Sequence, residues 1–76
     1  MADYHVKAHW DAEARVWWAE SEDVHGLVAE AETYDGLFGQ LKLIIPEILA
    51  LNMPNVDLKS SRFILIADRV EDLCDA

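Results

Sequence analysis

The 76-residue chain sets 15 acidic against 6 basic side chains, a formal charge of −9, yet 53% of it is apolar. That is too hydrophobic for a disordered acidic tail and too acidic for a binder of phosphate backbones, so direct nucleic-acid binding is not expected. A single domain this short buries only roughly 60% of the surface its unfolded chain exposes, so marginal stability and self-association into a dimer or larger assembly are expected.

Cys74 is the only cysteine, which excludes an intrachain disulfide and a cysteine-rich zinc site. The opening MADYHVKAHW has neither a basic n-region nor an apolar h-region. The apolar runs LIIP and FILIA fall far short of the ~20 residues a membrane span needs. These features predict a cytoplasmic protein without a membrane segment.

In YHVKAHW, Tyr4, Val6, Ala8 and Trp10 alternate with His5, Lys7 and His9, the period of two of a half-buried strand. DAEA, Asp11 to Ala14, reads as a turn, and RVWWAES as a second strand of β-branched and aromatic residues. With Trp10 facing Arg15, Ala8 faces Trp17 and Val6 faces Ala19, which buries Trp17 and points Trp18 away from the core. LVAEAE reads as a third strand after a loop from Glu22 to Gly26, with Ala19 meeting Ala29, Trp17 meeting Ala31, and Leu27 completing the inner face.

Thr33 is placed to cap a helix that begins at Tyr34, with Asp35 in the first turn where a carboxylate is favoured. Tyr34, Leu37, Phe38, Leu41, Ile44, Ile45, Ile48 and Leu51 recur at three and four residues and form one apolar stripe for the sheet. Pro46 removes a helix bond and predicts a kink or restart there. After the turn signals in NMPN, RFILIADRV is a fourth strand, apolar on both faces as an interior or interface strand would be. The order βββαβ is an α+β arrangement; a connection returning strand four parallel to strand one should be right-handed.

Neither the histidines nor the carboxylates announce chemistry. His5 and His9 are about 13 Å apart along a strand and cannot share one ion, and His25 and Cys74 lie in a loop and the tail. No Ser/His/Asp or Cys/His arrangement and no glycine-rich phosphate loop is present, and the middle of strand one, Val6-Lys7-Ala8, offers no carboxylate to start a metal-nuclease cluster. The chain is therefore read as a non-enzyme with no metal, cofactor or catalytic residue.

Two surface features remain. The open sheet face would carry His5, Lys7, His9, Trp18, Glu20, Val28 and Glu30, where an exposed tryptophan among charges suits an interface anchor. Around it, Asp11, Glu13, Glu20, Glu22 and Asp23 sit at strand ends, a candidate rim for a basic protein. The plainer readings are that Lys7 or the tail covers Trp18 and that the acidity serves solubility. The back of the helix carries Gly39, Leu43, Pro46 and Ala50, a small and apolar strip that, with Ile64 and Ile66 of strand four, is the candidate contact between copies. Its plainer reading is an ordinary exposed helix face.

The βββαβ order and the junction DVHGLVAEAETYDGL resemble the N-terminal domain of HicB antitoxins. Asp23-Val24-His25-Gly26 matches that family's Asp-x-Pro-Gly turn, with His25 in place of proline, and Thr33 matches its helix-opening threonine. HWDAEARVWWAES and LIIPEILALN are closer to a short bacterial domain family of unknown function related to HicB, and the resemblance spans roughly Tyr4 to Val70. It implies a partial ribonuclease-H-like sheet of strand order 3-2-1-4 with the helix on one face and no nuclease centre. It also implies an antitoxin that neutralises a HicA-type toxin, a small basic messenger-RNA-cleaving protein. Many HicB proteins add a C-terminal DNA-binding segment; the few residues after strand four are too short for one, so a single domain without DNA-dependent autoregulation is expected. The alternative is a free-standing homo-oligomeric scaffold or small-ligand binder.

Overall fold

In the computed structural model, which describes residues 2–74, the opening alternation becomes strand β1, Ala2–Asp11, and the aromatic segment becomes β2, Val16–Glu20. β3 is Ala29–Ala31, α1 is Tyr34–Asn52, and β4 is Ser61–Asp68, preceded by a single 3-10 turn at Leu58–Ser60. The sheet order is β3-β2-β1-β4, antiparallel from β1 through β3 and parallel between β1 and β4. This single α+β domain has the expected 3-2-1-4 order.

Alanines make room for the helix. Ala8 pairs with Ala19, Ala19 with Ala29, and Trp17 with Ala31, so the inner face is a low floor with one large ring standing on it. Leu37, Leu41, Ile45 and Leu49 pack onto that floor together with Val6, Trp17 and Val24. Trp17 meets Tyr34 edge-on at 5.7 Å and Trp10 at 5.6 Å, the tilted contacts that aromatic quadrupoles favour.

Four sequence expectations need correction. The β1–β2 register is displaced by two residues: Trp10 faces Trp17 and Ala8 faces Ala19, because Asp11 pairs with Val16 and the four-residue loop is Ala12 to Arg15. A shift of two preserves the faces, so Trp17 is buried and Trp18 is 39% exposed, as expected. The loop closes with Arg15 at φ 57, its N–H donating to the Asp11 carbonyl at 2.7 Å, a left-handed residue that alternation alone does not reveal. β3 is shorter than LVAEAE, leaving Val28 83% exposed.

Along α1 the buried residues follow one i, i+4 row, so Leu49 is buried in place of Leu51, which lies on the far side of that row and is exposed. Of the kink or restart expected at Pro46, the restart does not occur: the helix runs through Pro46 as one element. The carbonyl that Pro46 leaves without a donor belongs to exposed Lys42, where water can satisfy it. No helix among the described residues is long and apolar enough to cross a membrane.

Candidate interaction face on the open sheet

One side of the sheet carries α1; on the other, no element among the described residues forms a layer. Strand alternation puts His5, Lys7 and His9 of β1 on this open side, opposite Ile64, Ile66 and Asp68 of β4. From the other flank, Trp18 faces His9 and Glu20 faces Lys7.

His9 is the hub. Its ring lies against Trp18 at 4.7 Å between centroids. Its Nε2 stands 2.7 Å from a Glu20 carboxylate oxygen, and its Nδ1 3.3 Å from Asp68. Nε2 is buried, and because the Glu20 contact is close without hydrogen-bond alignment, it has no hydrogen-bond partner among the described residues. This ties β2, β1 and β4 together across the face and holds Trp18 upright, exposed on one side and backed by an imidazole on the other.

A second cluster forms where the β2–β3 loop folds back on β1. Ser21 Oγ donates to the His5 carbonyl at 2.6 Å and accepts from the Asp23 and Val24 N–H groups at 3.1 and 3.0 Å. The Asp23 carboxylate accepts from the His5 backbone N–H at 2.8 Å and lies 3.3 Å from His5 Nδ1. The His5 backbone hydrogen bond, then its ring, hold the Asp23 carboxyl below the usual carboxylate range. Val24, next in the loop, is 1% exposed and plugs the core. Gly26, at φ 83, completes the turn that returns the Leu27 N–H to the Val24 carbonyl at 3.3 Å. His5, Lys7, Glu20, Glu22, Asp23 and Ile66 are among the walls of a shallow pocket of about 260 Å³ between loop and sheet.

The candidate partner residues thus separate. Glu20, Glu22 and Asp23 gather around the pocket at one end of β2, and Trp18 stands in the middle of that strand. Asp11 and Glu13 lie at the opposite end of β2, and Asp11 is occupied, its Oδ1 accepting from the Glu13 and Ala14 N–H groups at 3.1 and 3.2 Å. The candidate oligomer residues divide likewise. Gly39, Leu43 and Ala50 are exposed on the back of α1. Pro46 turns into a groove with Tyr4, Leu49 and Phe63. Ile64 and Ile66 lie on the open face of the sheet.

Ser21, His9 as a hub and Ile66 as a pocket wall escape a reading of the sequence. The Ser-x-Asp spacing before a buried valine is a signal for the first; the other two depend on β4 returning beside β1. Among the described residues no group of three or more His, Cys, Asp and Glu side chains is arranged to hold a metal ion.

Residues 3–73 match the family described as a domain of unknown function, DUF1902. The crystal structure of hypothetical protein TTHA1013 from the extremely thermophilic bacterium Thermus thermophilus superposes with a TM-score of 0.71 at 37% identity, covering 96% of this chain and 99% of that one. Comparison with curated proteins gives no match.

Proposed function

The chain belongs to the DUF1902 family of domains of unknown function, and we propose that it is a non-enzymatic protein-binding module of the HicB antitoxin kind, whose partner is a small basic protein such as a HicA-type toxin. The observation that carries this reading is the open face: a 39% exposed Trp18 propped on His9, with Glu20 next along β2 on the same face and Glu22 and Asp23 farther on, where the loop folds back on His5. A rigid aromatic anchor next to concentrated charge of one sign is the usual make-up of a binding hot spot with electrostatic guidance. A net charge of −9 selects a basic partner and repels nucleic acid.

Capture would be stoichiometric. The face presents carboxylates, His5, Lys7 and one indole, and covering a toxin's cleavage surface requires no turnover. The test is co-expression with a small basic protein encoded beside this chain's own gene. Growth arrest by the neighbour, relieved by this chain and not by a Trp18→Ala, Glu22→Lys variant, is expected. Failure of the wild type to bind the neighbour's purified product would move the assignment to a free-standing scaffold or small-ligand binder, with the pocket lined by His5, Lys7 and Glu22 as the place to look.

A further inference from the structure

The two edges of the sheet are treated differently. β3 ends one side with three residues, the short edge that proteins commonly use to avoid unwanted pairing. β4 ends the other with eight, and between Arg62 and Asp68 it carries only Phe63, Ile64, Leu65, Ile66 and Ala67. It has no proline and no inward charge. Among the described residues after it, Val70 and Leu73 are 88% and 103% exposed and do not shield it. α1 lies closer to β2 and β3 than to β4, so although Phe63 meets Phe38 at 5.6 Å, Phe63 and Leu65 on the helix side of β4 are only half-buried, and on the open side Ile66 is 52% exposed.

We propose that β4 pairs with β4 of a second copy of this chain, antiparallel about a two-fold axis at Leu65, to make one continuous eight-stranded sheet. The register follows from the strand's own pattern. A two-fold axis perpendicular to the sheet keeps open face with open face, so it must pass through a residue rather than between two. Centred on Leu65, it sets Arg62 opposite Asp68, Phe63 opposite Ala67, and Ile64 opposite Ile66. Both ends then carry an opposite-charge pair, and each large side chain meets a smaller or similar one. Centring on Ile64 or Ile66 instead sets Arg62 against Ile66, or Ile64 against Asp68.

The charged ends have capacity for this. Arg62 gives Nε and Nη2 to Asp3 at 2.6 and 3.2 Å, leaving its other donors free. Asp68 uses Oδ1 toward His9, leaving Oδ2. A second copy is favoured over an unrelated strand because this strand complements itself in charge and size when reversed. The pairing does not rest on the basic partner proposed above, which would approach the β2 flank, and a monomeric result would leave that reading standing.

Sedimentation equilibrium at micromolar concentration tests the assembly, and site-directed crosslinking tests the register. The wild type is expected to be a dimer, and Ile66→Lys, at an exposed position, a folded monomer with an unchanged far-ultraviolet circular dichroism spectrum. In a Cys74→Ser background, Leu65→Cys should oxidise to a disulfide-linked dimer, because residues facing each other across antiparallel strands stand about 4.5–5.5 Å apart at Cα, within disulfide reach. Phe63→Cys, about 13 Å from its own copy in this register, should not. A monomeric wild type, a dimer indifferent to Ile66→Lys, or crosslinking at position 63 rather than 65 would each overturn the proposal.

Discussion

Asp23 shows how a surface carboxylate becomes structural. Two bonds to His5 hold its folded-state pKa below the ordinary value. A carboxyl with a depressed folded pKa contributes stability that is present above its unfolded pKa and lost as pH falls through the folded one. The β2–β3 loop is therefore expected to loosen only in acid, below the usual carboxylate range. A carbon-detected NMR titration should place the Asp23 midpoint below that of a free aspartate, and Asp23→Asn should remove that share of the acid dependence. A midpoint at or above the free value would contradict the role given to His5.

At the start of α1, Thr33 Oγ1 accepts from the Gly36 N–H at 2.9 Å, and a Cβ on Gly36 would lie 2.9 Å from that same oxygen. Thr33→Ala should cost about 1 kcal/mol. Gly36→Ala should gain nothing while Thr33 is present and become stabilising once Thr33 is Ala, since only then does alanine's better helix propensity come free of the clash. Additive effects in a thermal-melt cycle would refute this coupling. Thr33 was legible as a cap because it stands between a strand and an apolar-periodic run. The requirement for glycine at position 36 was not, since it depends on the cap's rotamer.

Among the elements, the hairpin separates what alternation can and cannot establish. The period of two assigned Trp17 inward and Trp18 outward. The register depended on whether Asp11 or Ala12 opens the loop, and that is settled by Asp11 capping the turn and Arg15 taking a positive φ. Trp17→Ala should destabilise by about 3–5 kcal/mol and Trp18→Ala by much less, read from denaturant melts. The reverse order would mean that the faces are exchanged. On α1, three- and four-residue spacing identified the helix and most of its buried row. The exchange of Leu51 for Leu49 arose because a two-turn window does not say which of two adjacent rows the sheet selects. The last strand was legible as apolar on both faces, but that composition suits an interior or interface strand alike, and only the fold shows that it stands at an edge of the sheet.

For the whole molecule, the sequence put the acidic residues at strand ends, but it could not say which ends come together. The fold gathers Glu20, Glu22 and Asp23 at the end of β2 that meets Lys7 and His5, leaves Asp11 and Glu13 at the other end, and sets Trp18 midway. Charge reversal at Glu13 should therefore leave partner capture nearly unchanged. Reversal at Glu22 should slow it, and Trp18→Ala should speed release by tenfold or more, as loss of an anchor worth about 2 kcal/mol implies. The most direct measurement is stopped-flow association of this chain with a small basic protein of the proposed HicA kind, across a salt series. Association should slow markedly as salt shortens the Debye length to ~8 Å and below, Glu20→Lys, Glu22→Lys should slow it at low salt, and dissociation should change less. An association rate indifferent both to salt and to those reversals would contradict electrostatic capture and leave the acidity with solubility as its only role.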